Sequence, residues 1–174
     1  APKLADAERP GIWYHTAGMN LLGFRKNPFR ALQKKIGYAF RDRALLEAAL
    51  VHPSYRFEQS EIPADNQRLE FLGDAVLGMV AGAYIYRRFE DRDEGMLTEY
   101  RSRITSGKAL AGLAQTLGLG SELRLGNGEE RSGGRTREST LADALEAVIG
   151  AAYLDGGLRA AEKMFAHLFV PLLE

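Results

Sequence analysis

Two pairs of acidic residues stand out because each pair has helical spacing. Glu70 and Asp74 are four residues apart, and Asp143 and Glu146 are three apart, so each pair would project from one face of a helix. None of the four has a basic residue three or four positions away to neutralise it. Partly buried carboxylates of this kind need a compensating charge. Mg²⁺ or Mn²⁺ would supply it through oxygen ligands, and two such ions could support phosphodiester hydrolysis.

The same spacing also has structural explanations. Thr140 and Asp143 have the spacing of a capping box, which would place Asp143 in the first turn of a helix, near the positive end of its dipole. Asp74 could instead form an ion pair with an arginine from elsewhere in the chain. The spacing by itself leaves the metal site and these structural roles open.

The segments that carry the acids are predicted to be helices. Asp65 is predicted to open a long helix that runs to about Phe89. Its apolar stripe recurs at helical spacing, at Leu69, Leu72, Val76, Val80 and Ala83. The second pair falls on a helix predicted over 139–154, which Asp155-Gly156-Gly157 would end before a final helix to about Leu172. The remaining predictions are helices at 28–36, 42–50, 95–106 and 108–117, and loops at 51–64 and 120–138.

No alternating pattern of strand length occurs, so we expect an all-α domain over residues 27–174, preceded by a poorly ordered arm, residues 1–26. The 174 residues carry no net charge and no cysteine, which excludes thiolate metal sites. No apolar run approaches the roughly 20 residues that span a bilayer, so we expect no membrane association. A cytoplasmic location is expected because the sequence has no cysteine and no apolar stretch like a signal peptide. The excess of basic residues near the N-terminus fits a polyanionic partner and a solvated segment equally well.

Residues 66–77 closely resemble the signature of the ribonuclease III family, with the sequence NQRLEFLGDAVL. Residues 141–157 resemble the second catalytic segment of that family. Three shorter stretches also fit the family pattern: 50–55, 94–101 and 132–135. The match runs in order and at family spacing from about residue 30 to the end of the chain, which makes it far more specific than any single motif.

The resemblance implies an all-α nuclease domain that acts as a homodimer and cleaves double-stranded RNA. The implied cofactor is Mg²⁺, for which Mn²⁺ can substitute, and the implied products have 5′-phosphate and 3′-hydroxyl ends with short 3′ overhangs. The residues that match the family's metal-binding and catalytic acids are Glu70, Asp74, Asp143 and Glu146. Phe71 matches an aromatic that inserts into the partner subunit. Maturation of ribosomal RNA is expected by family analogy. The alternative is a non-catalytic module of a ribosomal or processing complex, against which the four retained acids argue.

RNA contacts are expected from the loop before the last catalytic helix, at Arg131, Gly133, Gly134, Arg135 and Arg137. Two features depart from the family pattern. Gln67 stands where the family usually has Glu, and we expect it to support the metal ligands or contact RNA without abolishing activity. The chain also stops where most bacterial members continue into a double-stranded-RNA-binding domain. We expect that domain to have been removed, and the alternative is a member that binds RNA through the nuclease domain alone. His52 could contact RNA or the metal site, but a structural role in a turn is favoured.

Overall fold

The computed structural model describes residues 28–173, which form an assembly of helices. The helices in chain order are α1 Arg30–Ile36, α2 Arg43–Ala49, α3 Pro53–Glu58, α4 Gln67–Arg88, α5 Glu94–Thr105, α6 Gly107–Leu117, α7 Leu119–Glu122, α8 Asn127–Arg131 and α9 Glu138–Leu168, with short 3₁₀ turns at Gly134–Thr136 and Val170–Leu172. The β-structure of this part of the chain is an isolated parallel bridge between Val51 and Arg124. The predicted all-α fold is confirmed, and the predicted N-terminal arm lies outside the described residues.

Local capping explains where several helices begin and end. The Asp42 carboxylate accepts a hydrogen bond from Ala44 N at 2.9 Å at the start of α2, and Asp93 accepts one from Met96 N at 2.9 Å at the start of α5. Gly37 ends α1 in the left-handed region, with φ of 71°. The sequence predictions for α2, α4, α5 and α6 agree with these boundaries to within two residues.

The contact between α4 and α9 lies at the centre of the fold, and two glycines allow it. A Cβ at Gly73 of α4 would overlap the carbonyl oxygen of Glu146 and lie 3.1 Å from the backbone nitrogen of Gly150. A Cβ at Gly150 of α9 would likewise overlap the carbonyl oxygen of Leu69. The two backbones therefore touch at a point where any side chain would force the helices apart.

Apolar residues on both sides of this crossing form the core. Leu69, Val76 and Val80 of α4 are buried as predicted, whereas Ala83 at the end of the predicted stripe is exposed. Helix α4 also has the length and composition to cross a membrane, which the sequence analysis did not expect. That is weak evidence for membrane insertion, because a helix at the core of a soluble protein meets the same criterion.

Three sequence predictions were wrong or incomplete. Helix α3 forms within the predicted loop 51–64, because the ring nitrogen of His52 caps it and Pro53 occupies its first position. The predicted loop 120–138 contains α7, α8 and a 3₁₀ turn. The predicted stop at 155–157 is a kink at Gly157 (φ 68°, ψ −166°), and the final helical segment ends at Leu168.

The start of α9 also excludes the capping-box explanation of Asp143. The helix begins at Glu138, with Arg137 at the N-cap and no side-chain cap. Thr140 is buried inside the helix, so it cannot cap it, and Asp143 lies beyond the first turn. The positive end of the helix dipole therefore does not account for an acid at this position.

Candidate active site

Three of the four predicted acids meet across the α4–α9 crossing. Glu70, Asp143 and Glu146 each offer a carboxylate oxygen, and these oxygens lie within 4.8 Å of one another. All three side chains are partly buried. None of them forms an ion pair with a basic side chain among residues 28–173. The crossing at Gly73 and Gly150 holds this group, which we call the acid cluster, because it fixes the separation of the two helices.

Asp74 lies one turn beyond Glu70 on α4 and is exposed, outside the acid cluster. Its negative charge nevertheless raises the pKa of both Glu70 and Glu146. No arginine of residues 28–173 pairs with Asp74, so the alternative of a distant ion pair is not realised in this part of the chain. The structure therefore brings three predicted acids together and leaves the fourth at the edge, within electrostatic range.

Burial and mutual repulsion make the acid cluster hard to ionise. Burial, together with the negative charges of Asp74, Asp143 and Glu70, raises the pKa of Glu146 from 4.5 to about 7. Burial also raises the pKa of Glu70, with added repulsion from Asp143 and Asp74. The pKa of Asp143 is also raised, because the effect of burial exceeds the opposite effect of nearby His52. A proton or a cation must therefore compensate these carboxylates near neutral pH.

The composition of the acid cluster suits a hard divalent cation. Its ligands are carboxylate oxygens alone, which Mg²⁺ and Mn²⁺ accept and which metals that prefer sulfur do not. The carboxylate oxygens lie close enough together to bind one ion. Their negative charge is not neutralised by a basic side chain within the described residues, so it remains available to a cation. Glu70, Asp143 and Glu146 could thus hold a metal, and Asp74 is placed to add charge or a water-mediated contact.

Phe71, predicted to lie at a dimer interface, is 82% exposed on α4, between the two acids of that helix. It belongs to a wider exposed face of α4, which includes Ala75, Met79 and Tyr86. A Cβ added at Gly78 or Gly82 on this helix would meet no atom within 4 Å. We call this surface the open face of α4.

The loop predicted to contact RNA is braced internally by Arg135. Its guanidinium donates hydrogen bonds to the carbonyl oxygens of Gly120 at 2.6 Å and Leu123 at 2.9 Å, at the end of α7. It also pairs with Glu130, whose pKa this hydrogen bond lowers. In the structure Arg135 is therefore a structural clamp, and its proposed contact with RNA remains a prediction.

The other predicted loop residues differ in their ion pairs and in their exposure to solvent. Arg137 pairs with Glu129 and donates a 3.0 Å hydrogen bond to the hydroxyl of Ser132. Gly133 is exposed with φ of 80°, whereas Gly134 is buried against Glu129. Arg131 is exposed and forms no ion pair within residues 28–173.

Gln67 occupies the first position of α4 and is exposed. Its backbone nitrogen donates a 3.2 Å hydrogen bond to Asp65. The positioning role of Gly73 and Gly150 was not predicted from the sequence. The available signal was a glycine three residues after Glu70 on one helix and four residues after Glu146 on the other, each on the face that carries the acids.

Comparison with known proteins agrees with this geometry. A family model described as ribonuclease-III-like matches residues 42–173. The Ribonuclease 3 of Caldanaerobacter subterraneus subsp. tengcongensis is 47% identical over 143 residues, which cover 82% of this chain and 63% of the relative. The Ribonuclease 3 of Treponema denticola is 48% identical over 144 residues, which cover 83% of this chain and 58% of the relative. The chain thus spans about three fifths of the length of these curated relatives.

Solved structures give the same result. The nuclease domain of ribonuclease III from Campylobacter jejuni superposes with a TM-score of 0.74 at 37% identity, covering 82% of this chain and 94% of that one. Dicer from Pichia stipitis superposes with a TM-score of 0.58 at 29% identity, covering 78% of this chain and 57% of that one. The helical fold, the acids at the α4–α9 crossing and these similarities together show that the chain belongs to the ribonuclease-III-like family.

Proposed function

We propose that the chain is an endoribonuclease that hydrolyses phosphodiester bonds in double-stranded RNA with Mg²⁺. Its products would carry 5′-phosphate and 3′-hydroxyl ends with short 3′ overhangs. The observation that carries this proposal is the acid cluster, three partly buried carboxylates that lie together without a cation from residues 28–173. The similarity to proteins named Ribonuclease 3 supports the same activity.

Glu70, Asp143 and Glu146 are the residues that would hold the metal, with Asp74 beside them. When bound, divalent metal supplies Lewis acidity that favours deprotonation of water and stabilises charge on the leaving oxygen. Because Glu146 has a pKa of about 7, it must release a proton before its carboxylate can bind a cation. Metal affinity should therefore rise as the pH increases through 7. The rigid α4–α9 crossing keeps the carboxylates in place during this exchange.

A homodimer is part of this proposal, and the open face of α4 is its interface. An aromatic that is 82% exposed beside an acidic site is better explained by a partner surface than by solvent. One of the Campylobacter jejuni structures is described as having a region involved in dimer formation, which supports a dimer. Because Phe71 directly follows Glu70, dimer contacts would continue into the acid cluster.

RNA binding is proposed for the loop that precedes α9, in two different ways. Of the three predicted loop arginines, Arg131 forms no ion pair within residues 28–173. It can therefore contact a phosphate without breaking one. Arg137 would have to exchange Glu129 for a phosphate. Exposed Gly133 would let the backbone approach the duplex closely, whereas Gly134 is buried against Glu129 and is not part of this proposed contact. By family analogy alone, we propose maturation of ribosomal RNA in the cytoplasm as the biological process.

Incubation of the purified chain with a fully paired RNA, in Mg²⁺ and in EDTA, tests the proposal. We expect metal-dependent cleavage of the duplex, with no cleavage of single-stranded RNA or duplex DNA of the same sequence, and analysis of the product ends should show 5′-phosphates. A folded protein that binds the duplex but never cuts it, in Mg²⁺ or in Mn²⁺, would contradict the enzymatic assignment and favour a non-catalytic module.

A further inference from the structure

His52 is fixed at a junction beside the acid cluster. Its backbone nitrogen donates a 3.0 Å hydrogen bond to the carbonyl oxygen of Arg124, and the preceding carbonyl, that of Val51, accepts one from Asn66 N at 2.8 Å. Asn66 is the N-cap of α4, one turn before Glu70. The imidazole of His52 is close enough to Asp143 to affect its ionisation. The backbone of His52 therefore cannot move independently of α4.

The hydrogen bonds of the ring determine where its proton lies. The backbone N–H of Ser54 donates to Nδ1 of His52 at 3.2 Å, so Nδ1 is the acceptor of the helix cap. The Ser54 hydroxyl lies 2.8 Å from Nδ1 and accepts a hydrogen bond from Gly126 N at 2.9 Å, so the ring is also tied to the backbone of residue 126. The neutral ring consequently carries its hydrogen on Nε2.

The Nε2–H group has no acceptor among residues 28–173, although Asp143 is near. No buried side-chain nitrogen or oxygen in this part of the chain lacks a hydrogen-bond partner, so Nε2 must reach solvent. A histidine that positioned Asp143 would already be bonded to it. The donor is therefore oriented by the helix cap and remains available to a ligand.

We propose that the Nε2–H of His52 donates a hydrogen bond to a phosphate oxygen of the RNA strand held at the acid cluster. The proposal rests on the nuclease function proposed above and adds a substrate-binding group to it. When ionised, the four acids supply only acceptors, so a phosphate beside them requires donors from elsewhere. The cap by Ser54 fixes the direction of the ring, so the donor needs no reorganisation when substrate binds.

Two substitutions separate this role from the structural one. His52→Asn places an amide oxygen near the position of Nδ1, and Asn is a favourable N-cap residue, so the cap of α3 is retained while the Nε2 donor is lost. His52→Gln places its amide nitrogen near the position of Nε2 and loses the cap. Both variants are compared with the wild-type chain in thermal unfolding, in duplex affinity and in single-turnover cleavage with saturating Mg²⁺.

We expect His52→Asn to unfold at nearly the wild-type temperature and to cleave about 10- to 100-fold more slowly, as expected for loss of one hydrogen bond to a charged group. His52→Gln should unfold at a lower temperature and, at a temperature where it is folded, cleave faster than His52→Asn. The proposal would be overturned if His52→Asn cleaved RNA at the wild-type rate. It would also be overturned if the two variants lost the same amount of thermal stability and the same fraction of the cleavage rate. Wild-type protein that fails to cleave would overturn the nuclease assignment itself, and so the two failures are distinguishable.

Discussion

Replacement of Glu146 by Gln should stabilise the metal-free protein at alkaline pH while it abolishes cleavage. A carboxyl group whose pKa is raised in the folded state contributes stability below its unfolded value of 4.5, and that contribution is lost as the pH rises through about 7. The full difference corresponds to about 3 kcal/mol. Partial exposure to solvent screens it, and we expect about 1–2 kcal/mol at pH 8.

For a domain of this size, that change corresponds to an increase of about 2–8 °C in the midpoint of thermal unfolding. The measurement is thermal unfolding in EDTA at pH 8 and at pH 5, where Glu146 is protonated in the folded wild type and the midpoints of the two proteins should lie much closer together. Adding Mg²⁺ at pH 8 should raise the midpoint of wild type more than that of Glu146→Gln. Single-turnover cleavage of duplex RNA should fall by several orders of magnitude, because water activation and leaving-group stabilisation fail together.

Glu162→Gln is the matched control, because Glu162 is exposed on the same helix and lies outside the acid cluster. It should alter neither cleavage nor the difference in unfolding between pH 5 and pH 8. A Glu146→Gln protein that is less stable than wild type in EDTA at pH 8 would show that the carboxylate has a structural partner. Cleavage at a near wild-type rate would refute its role in metal binding.

The remaining predictions concern the helix crossing, the open face of α4 and the loop. Gly73→Ala should separate α4 from α9, lower the free energy of unfolding by about 1–3 kcal/mol and abolish cleavage. The control is Gly112→Ala, where a Cβ meets no atom within 4 Å, and it should leave cleavage unchanged. Thermal unfolding and cleavage assays test this prediction, and an active Gly73→Ala protein would contradict it. Phe71→Ala should shift light scattering from twice the chain mass towards the monomer, and a wild-type monomer at micromolar concentration would exclude the proposed interface. Arg135→Ala should lower the unfolding midpoint because two carbonyl groups and Glu130 lose a donor. Arg131→Ala should instead weaken duplex binding and reduce its salt dependence at unchanged stability, and an unchanged affinity would remove this residue from the RNA contact.

The parts of the fold that were predictable from sequence are those set by local chemistry. Helix α4 was recognisable because its apolar residues recur over six turns, and α2 because an aspartate caps it. Helix α3 was missed because six residues are too few for a periodic pattern, and because its cap is a histidine held by Ser54 and Gly126. A contact with residue 126 cannot be inferred from local sequence.

The acid cluster was likewise predictable in its local features but not in its tertiary contacts. Helical spacing indicated that each pair shares a face, but which oxygens meet depends on where α4 and α9 cross. That crossing brings Glu70 to the α9 acids and leaves Asp74 exposed. Arg135 gives a second example, because its charge suggested a phosphate contact and its carbonyl partners at the end of α7 arise only from the tertiary fold.

The crossing at Gly73 and Gly150 has a consequence for how proteins of this fold can diverge. The glycines are required for the backbone contact itself, whereas the acids beside them are mutually repulsive and oppose folding when no cation is bound. A descendant relieved of selection for catalysis would gain stability by losing carboxylates, but it would lose its core by gaining a side chain at either glycine. Pseudoenzymes on this scaffold should therefore be recognisable by glycines retained at both positions beside neutral residues that replace the acids.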